Sequence, residues 1–426
     1  MDFIPFGASR LPVDPALLRG EIVRFAPTIT ERPAAAELVI GRALETATSG
    51  RLRDLARGAG SAVILVPGID RIAAVSTFVP PLLAELQEAG IPSAHTKVFL
   101  ATGTHEHKGL EDLRALLGSA VAAEVECVIH DPRAPQGLVD VGMTTRGTPV
   151  EFARSVMECE VKILTGRVVP HYFAGFGGGR KALLPGAAGL RTILANHRLT
   201  LAPESGVAAG VGPCALEGNP VHLDMVEAVR FARPTFCVNM LLDTKHQVVA
   251  AHAGDPEASH AAACEEALIR HQLRATEQFD GVITSAGGTP YDCNFVQALK
   301  ALFDVQEIVR TGGTILCVAE CPLGIGPAFL DWAALEDDSE VDRLVRERYN
   351  LAGHNTIMLR SLLRRATIGF VSRLDSGLVR RLGLYPFDSL DAGLRWLSDR
   401  LSAASRVACV PYANVTHVAY RPEQIA

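Results

Sequence analysis

The segment from residue 171 to residue 197, HYFAGFGGGRKALLPGAAGLRTILANH, has the strongest chemical pattern in the sequence. Glycine occupies four of the five positions from Gly175 to Gly179, and Arg180 and Lys181 follow directly. Glycines let a backbone approach a ligand closely, and consecutive backbone N–H groups can bind an anion. The two cations add charge for a phosphate. We therefore predict that this segment binds a ligand phosphate, through Gly175, Gly177, Gly178, Gly179, Arg180 and Lys181.

Two known phosphate-binding motifs do not fit this segment. A P-loop needs glycine before its lysine and serine or threonine after it, whereas Arg180 and Ala182 flank Lys181 here. Arg180 also takes the place of the last glycine of the dinucleotide-binding fingerprint. The alternative to a phosphate site is a structural turn with exposed basic residues, and the entropy cost of ordering four glycines counts against that alternative.

Three further positions carry side chains suited to binding or proton transfer. His105 in TGTH follows a predicted strand, where ligands bind in α/β sheets, although many loop histidines are merely solvated. Gln297 and Lys300 are three residues apart on a predicted helix and share a face that could bind a carboxylate, unless the helix is simply amphipathic. Arg71 ends a strand-to-helix turn and is another candidate for anion binding.

Short apolar runs alternate with amphipathic stretches and predict the elements that position these residues. Strands are predicted at 61–67, 96–103, 125–130, 160–166, 236–242, 246–252, 281–287 and 314–320, and a hairpin at 138–152. Helices are predicted at 73–89, 111–118, 189–200, 220–232, 255–275 and 295–309. This order predicts two α/β domains with mostly parallel sheets and an active-site cleft between them. We place the N-terminal cofactor-binding domain at 1–272 and the C-terminal domain at 280–405. The tail, 406–426, either completes the second domain or packs back on the first.

Composition excludes several classes of protein. The chain has 426 residues with 41 basic and 47 acidic side chains, a balance that gives no general reason to bind nucleic acid or an anionic membrane. The sequence has no apolar run of the roughly 18 residues that would span a bilayer, and we expect no secretion signal at the start. Nine cysteines without a CxxC pair argue against a disulfide framework. We therefore expect a soluble, cytoplasmic protein.

His171, Lys181 and His197, ten and sixteen residues apart within HYFAGFGGGRK…PG…TILANH, resemble the motif of the nickel-dependent lactate racemase family. The Arg71 turn, TGTH and the Gln297–Lys300 pair follow the family's order. The resemblance implies a nickel-pincer nucleotide, a cofactor made from nicotinic acid mononucleotide whose pyridinium carries sulfur groups that bind nickel. It implies that Lys181 can be bonded to the cofactor, that His197 ligates nickel, and that cofactor-biosynthesis proteins mature the enzyme. Pro185 and Gly186 would complete the cofactor-binding segment.

The reaction implied by the resemblance inverts C2 of a small-molecule 2-hydroxy acid. His105 and His171 match the family's two catalytic histidines, and Arg71, Gln297 and Lys300 match its substrate-binding positions. One histidine would take the hydroxyl proton while hydride leaves C2 for the cofactor, which gives a planar 2-keto acid. Return of the hydride to the other face of this keto acid would give the opposite enantiomer. Imidazole suits this exchange because its pKa lies near neutrality.

The sequence leaves alternatives open both for the substrate and for the activity. Gly68, Glu106 and Val296 depart from residues common in the family, and all three lie on the substrate side. Malate, an aryl-lactate or a sugar acid is therefore at least as good a candidate as lactate. Two other functions remain open. One is a transferase that binds phosphate at residues 171–197, the glycine segment, and the other is a non-catalytic binder of the nickel cofactor. The segment 166–200 lacks the carboxylates that a magnesium-dependent transferase needs, and a binder would not need both His105 and His171.

Overall fold

The computed structural model describes residues 3–26, 34–68, 75–105, 109–333, 335 and 337–422. Its strands are β1 (Phe3–Phe6), β2 (Ser9–Pro12), β3 (Glu21–Arg24), β4 (Ala62–Pro67), β5 (Thr96–Ala101), β6 (Glu126–Ile129), β7 (Leu138–Met143), β8 (Pro149–Ala153), β9 (Val161–Arg167), β10 (Pro170–His171), β11 (Gly175–Phe176), β12 (Phe236–Leu242), β13 (Val248–Gly254), β14 (Gln272–Ala275), β15 (Phe279–Ser285), β16 (Val309–Val318), β17 (Ala366–Val371), β18 (Tyr385–Phe387), β19 (Arg406–Val410) and β20 (His417–Tyr420). Its helices are α1 (Ala36–Glu45), α2 (Leu52–Leu55), α3 (Val75–Glu88), α4 (Leu110–Leu117), α5 (Ser119–Glu124), α6 (Arg154–Met157), α7 (Leu190–Arg198), α8 (Pro220–Ala232), α9 (Pro256–His271), α10 (Phe295–Asp304), α11 (Pro327–Ala333), α12 (Asp338–Glu347), α13 (Gly353–Leu363), α14 (Ser376–Arg381) and α15 (Leu390–Ser398).

The first large sheet has the strand order β13-β12-β9-β4-β5-β6. All neighbours are parallel except β12 and β13, two predicted strands that pair antiparallel. Alternate residues of β4 face opposite sides, with Val63 and Leu65 in one apolar cluster and Ile64 and Val66 in another. Because both faces are covered, the strand is apolar throughout, as is usual for a parallel sheet with helices on both sides.

The second large sheet has the order β18-β17-β16-β15-β19-β3, and all its neighbours are parallel. Its edge strand β3 comes from the N-terminal region, and β1 contributes Ile4 to the apolar cluster that also contains Ile283 and Leu316. The first residues of the chain therefore pack with the second sheet. The prediction of an α/β fold with mostly parallel sheets is confirmed.

Two predicted helices are shorter than expected. The helix predicted at 255–275 ends at His271, because Gln272–Ala275 forms a strand that pairs with the distant β20. The helix predicted at 295–309 ends at Asp304, and the chain re-enters the sheet at Val309. In both cases a strand partner far along the chain decides the ending, and local periodicity carries no information about that partner.

The domain boundary at 272–280 and the cleft between the two domains stay predictions. For the membership of the two domains we make a revised proposal. The tail contributes β19 to the second sheet, and its β20 pairs with β14 at the junction. We propose that residues 3–24 and the tail belong with the C-terminal unit rather than with 1–272. Over the described residues, every helix is too short or too polar to cross a membrane.

Candidate active site

The glycine segment follows β9 and turns back under it. The short strands β10 and β11 form a tight hairpin, and residues 179–182 form one 3-10 turn. Gly178 has a φ of +120°, and a Cβ there would lie 2.5 Å from Cδ2 of His260. A Cβ on Gly179 would lie 2.3 Å from Sγ of Cys237. Packing therefore requires these glycines whether or not a ligand binds, which gives them the folding reason that the sequence did not reveal.

Arg180 does not have the position that the sequence suggested for a phosphate-binding cation. It is buried, and its guanidinium donates hydrogen bonds to the carbonyl oxygens of Gly177 (2.8 Å), Phe176 (3.0 Å) and Ala174 (3.1 Å). Nη1 also contacts Nε2 of His260. Burial lowers the pKa of Arg180 to about 10. The side chain thus fixes the shape of the glycine segment from within, and we correct its expected role accordingly.

Two small cavities adjoin the glycine segment. The glycine cavity, of about 110 Å³, is lined by Gly177, Gly178, Lys181 and Arg167, and also by Tyr291 and Asn414 from the second half of the chain. The histidine cavity, of about 120 Å³, lies beside it. The two cavities share four lining residues: His171, Lys181, Gln297 and Lys300.

The histidine cavity brings together most of the side chains that the sequence singled out. Its lining includes His105, His171, Lys181, Pro185, His197, Gln297 and Lys300. These residues come from the loop after β5, the glycine segment with α7, and α10. Gly186 lies just behind the lining, where its N–H donates to the carbonyl of Lys181. Arg71 lies outside the described residues.

Backbone contacts fix the segments that carry the histidines. The N–H of Gly103 donates to the carbonyl of Gly186 at 3.0 Å, so the loop of His105 is bonded to the glycine segment. Nδ1 of His171 accepts a long hydrogen bond (3.4 Å) from the N–H of Ala174. On α10, Nζ of Lys300 donates to Oε1 of Gln297, as expected for residues three apart on a helix.

A buried polar network positions His197 at the end of α7. The neighbouring Asn196 donates from Nδ2 to the carboxylate of Asp224 on α8 (2.9 Å). The same carboxylate accepts hydrogen bonds from the hydroxyls of Thr144 (2.5 Å) and Thr148 (2.9 Å) in the β7–β8 hairpin. Asp224 and Asn196 have no exposed surface. The network therefore ties the nickel-ligand candidate to two other elements.

Aromatic side chains that the sequence analysis did not select surround the histidines. The Phe173 ring lies 4.6 Å from that of His171, 5.0 Å from that of His197 and 5.1 Å from that of His354, measured between centroids. Nζ of Lys181 lies 5.4 Å from the same ring centroid. Tyr172 and Phe173 lie between His171 and the glycines in the sequence. This position next to His171 could have identified them as site residues.

His354 and Asn355 on α13 complete the lining from the second half of the chain. Nδ1 of His354 lies 2.7 Å from the hydroxyl of Tyr349, and the hydroxyl of Tyr172 donates to Oδ1 of Asn355 at 2.8 Å. Burial lowers the pKa of His354 to about 3, so this imidazole is neutral in the folded protein at neutral pH. Nothing in the local sequence LAGHN distinguishes these residues from an ordinary helix start.

The described residues contain no group of three or more histidine, cysteine or acidic side chains that could hold a metal ion. His197 stays the metal ligand that the sequence predicts, and a metal held by one imidazole takes its other donors from a cofactor or from solvent.

Comparisons with known proteins point to one family. Residues 19–208 match the family model of the lactate racemase N-terminal domain, and residues 275–415 match that of the lactate racemase C-terminal domain. A lactate racemase of Thermoanaerobacterium thermosaccharolyticum is 33% identical over 77% of this chain and 76% of its own length. A lactate racemase of Lactiplantibacillus plantarum is 28% identical over 94% of each chain.

Solved structures give the same result. The lactate racemase apoprotein from T. thermosaccharolyticum superposes with a TM-score of 0.87 at 28% identity, over 98% of this chain and 99% of that one. A Thermotoga maritima protein shares the fold, with a TM-score of 0.69 at 15% identity over 92% of this chain and all of its own. The resemblance to lactate racemases seen in the sequence is confirmed.

Proposed function

The chain belongs to the lactate racemase family, and we propose that it is a racemase or epimerase that inverts C2 of a 2-hydroxy acid. The name of its relatives supports racemase activity. The observation that carries the proposal is the lining of the histidine cavity, where His105, His171, Lys181, His197, Gln297 and Lys300 meet from distant parts of the sequence. We further propose that this cavity belongs to a cleft between the two α/β units.

In this proposal His105 and His171 act as the acid–base pair. Inversion needs one base for each enantiomer, and both groups must reach the C2 hydroxyl from different sides. Both histidines line the same small cavity, so each is close enough to a substrate held there. Phe173 packs edge-on against His171 and restricts the orientation of its ring. For either enantiomer, one imidazole takes the hydroxyl proton and the other supplies a proton to the inverted product.

Lys300 and Gln297 bind the carboxylate of the substrate. The ammonium group supplies charge and the amide supplies a directional hydrogen bond. The backbone N–H of Gln297 donates to Oδ1 of Asn294 (2.9 Å), which caps α10, and the carbonyl of Gln297 accepts from Nδ2 of Asn414 (3.2 Å). These contacts fix the first turn of the helix. A carboxylate held there leaves C2 free to present either face.

The residues at the border of the two cavities fit the nickel-pincer nucleotide of the family resemblance. Lys181 borders both cavities and can form the covalent bond, and His197 offers one imidazole to nickel. That the described residues contain no larger ligand cluster is consistent with a metal whose sulfur donors come from the cofactor. Hydride acceptance and return at C2 is the chemistry that this cofactor would supply when bound.

The first test is nickel content and intact mass of protein made in a host that synthesises the cofactor. We expect near-stoichiometric nickel that the His197→Ala variant loses, and a covalent mass increment that the Lys181→Ala variant loses. Protein without nickel, despite confirmed cofactor supply, would contradict the cofactor proposal and favour the phosphate-binding transferase.

The second test is racemisation, followed by chiral analysis of a panel of 2-hydroxy acids that includes lactate, malate, an aryl-lactate and gluconate. Replacing His105 or His171 by alanine removes a required base and should abolish inversion of the best substrate. A variant that keeps full activity would remove that histidine from the acid–base pair. Nickel content, measured on the same samples, separates loss of catalysis from loss of cofactor.

A further inference from the structure

Arg167, which the sequence analysis did not select, ends β9 and lines the glycine cavity opposite Lys181. Its Nη1 donates a hydrogen bond to the hydroxyl of Tyr291, and its guanidinium carbon lies 5.2 Å from the centroid of that ring. Nε and Nη2 of Arg167 are buried, and neither has a hydrogen-bond partner among the described residues. Two directional N–H donors of a permanent cation therefore lack a described partner in the wall of a cavity.

Such an arrangement is costly without a ligand. A buried polar group that lacks its hydrogen bond destabilises the fold, and the cost is larger for a charged group. Arg167 forms no salt bridge within the described part of the chain, and the described lining of the glycine cavity contains no Asp or Glu. The positive charge of Arg167 therefore has no acidic partner in the described lining, and this favours an anionic ligand.

The surrounding backbone brings Arg167 against the glycine segment. A Cβ on Gly177 would lie 2.6 Å from the carbonyl oxygen of Arg167, so only glycine permits this approach. The aromatic partner is also fixed, because the carbonyl of Tyr291 accepts a hydrogen bond from Nδ2 of Asn414 (3.2 Å). The cavity of about 110 Å³ is several times the roughly 30 Å³ share of one water molecule, which gives room for a phosphate group.

We propose that Arg167 binds the phosphate monoester of a nucleotide in the glycine cavity, through Nε and Nη2. This inference rests on the proposed function, because that function supplies the nucleotide. Nε and one terminal nitrogen of a guanidinium form the fork that pairs with two phosphate oxygens. Arg167 thus takes the part that the sequence suggested for Arg180, whose terminal nitrogens bind the segment's own carbonyls.

The test uses the full-length apo protein, made in a host without the cofactor pathway, and calorimetric titration with two probes. The probes are nicotinic acid mononucleotide and nicotinic acid riboside, which differ only in the phosphate. We expect the wild type to bind the mononucleotide at least about tenfold more tightly. In Arg167→Gln this preference should fall to within about threefold. Arg167→Lys should lie between, because an ammonium keeps the charge and loses the fork.

Arg400→Gln is the matched control. Arg400 also stacks on an aromatic ring, 4.3 Å from the centroid of Trp396, and it lies on the surface away from both cavities. It should keep the wild-type preference. Circular dichroism and thermal unfolding show whether each variant folds, and Arg167→Lys serves as the test if Arg167→Gln does not.

Three outcomes would overturn the assignment. In the first, the wild type binds both probes equally; in the second, it binds neither. In the third, Arg167→Gln keeps the tenfold preference. None of these results decides the racemase proposal, which the chiral assay on cofactor-loaded protein tests separately.

Discussion

Replacing Asp224 by alanine tests whether the buried network beside His197 holds the site together. The carboxylate of Asp224 has no exposed surface and accepts three hydrogen bonds, from the hydroxyls of Thr144 and Thr148 and from the amide of Asn196. Alanine would remove all three acceptors at once. The three donors come from a hairpin and from α7, so the loss should loosen both elements on α8.

The expected cost follows from what the donors can still reach. Nδ2 of Asn196 keeps the carbonyl of Val221 at 3.2 Å. The hydroxyls of Thr144 and Thr148 both lose the acceptor of their O–H groups, and the bond that Thr144 accepts from the N–H of Thr148 does not replace it. Each buried donor left without a partner costs roughly 1–3 kcal/mol. The variant no longer pays the desolvation cost of a buried carboxylate, and this gain offsets part of the cost of the unpaired donors. We therefore expect Asp224→Ala to lower the free energy of unfolding by about 4 kcal/mol.

Urea unfolding of the apo protein at pH 7 measures this change. The control is Glu227→Ala, one turn further along α8, since Glu227 also binds a threonine, Thr145, but its side chain is 24% exposed. We expect the control to cost no more than about 1 kcal/mol. Asp224→Asn should lie between, because the amide keeps one acceptor oxygen.

The cofactor-loaded protein gives a second measurement. Asp224→Ala should reduce nickel occupancy, because His197 follows Asn196 directly in α7. An unfolding free energy within 1 kcal/mol of the wild type, or a cost equal to that of Glu227→Ala, would refute the assignment of a structural role to this network.

Three further outcomes are expected. His354 has a folded-state pKa of about 3, below the value of about 6.5 in the unfolded chain, so the unfolded state binds more protons and stability falls as pH drops below 6.5. Between pH 7 and pH 5 this residue should cost about 2 kcal/mol, and His354→Gln should lose about that much less over the same range in urea unfolding. Tyr172→Phe removes the hydrogen bond to Asn355 and should lower the unfolding free energy by about 1–2 kcal/mol; no change would show that the hydroxyl is not needed. Arg180→Lys cannot reach three carbonyls at once and should weaken nicotinic acid mononucleotide binding in calorimetry; unchanged affinity would contradict the role of Arg180 in shaping the glycine segment.

The fold was largely predictable from the sequence because its strands are apolar on both faces. β4 and β9 appear in the sequence as short apolar runs, and such runs are typical of parallel sheets with helices on both sides. The pairing of distant segments was not predictable in the same way. β3 joins the second sheet beside β19, and β14 pairs with β20, from positions hundreds of residues away in one case and more than a hundred in the other.

The site residues were predictable where residue type and spacing within one motif indicate a role. They were not predictable where the role depends on the direction in which a side chain points. Lys181 and His171 stand in a motif whose residue types indicate their use. Arg180 lies within the glycine segment and Arg167 just before it, and the sequence favoured Arg180 because it is adjacent to the glycines. Side-chain direction decides between them. The terminal nitrogens of Arg180 turn inward to the segment's carbonyls, while Nε and Nη2 of Arg167 lack a described partner in the cavity wall. Residue type and spacing carry no information on that direction.

The two cavities suit different parts of the proposed ligand, and this difference explains why Lys181 lies between them. The glycine cavity is lined by an arginine with two donors that lack a described partner and by no described carboxylate, so it favours a phosphate. The histidine cavity has imidazoles and aromatic rings around Phe173, so it suits a reacting ring and a small acid. A nucleotide with its phosphate near Arg167 would bring its ring to the border that both cavities share. Lys181 lines that border, where its amine would meet the sulfur-bearing substituent of the ring to which the proposed bond is made.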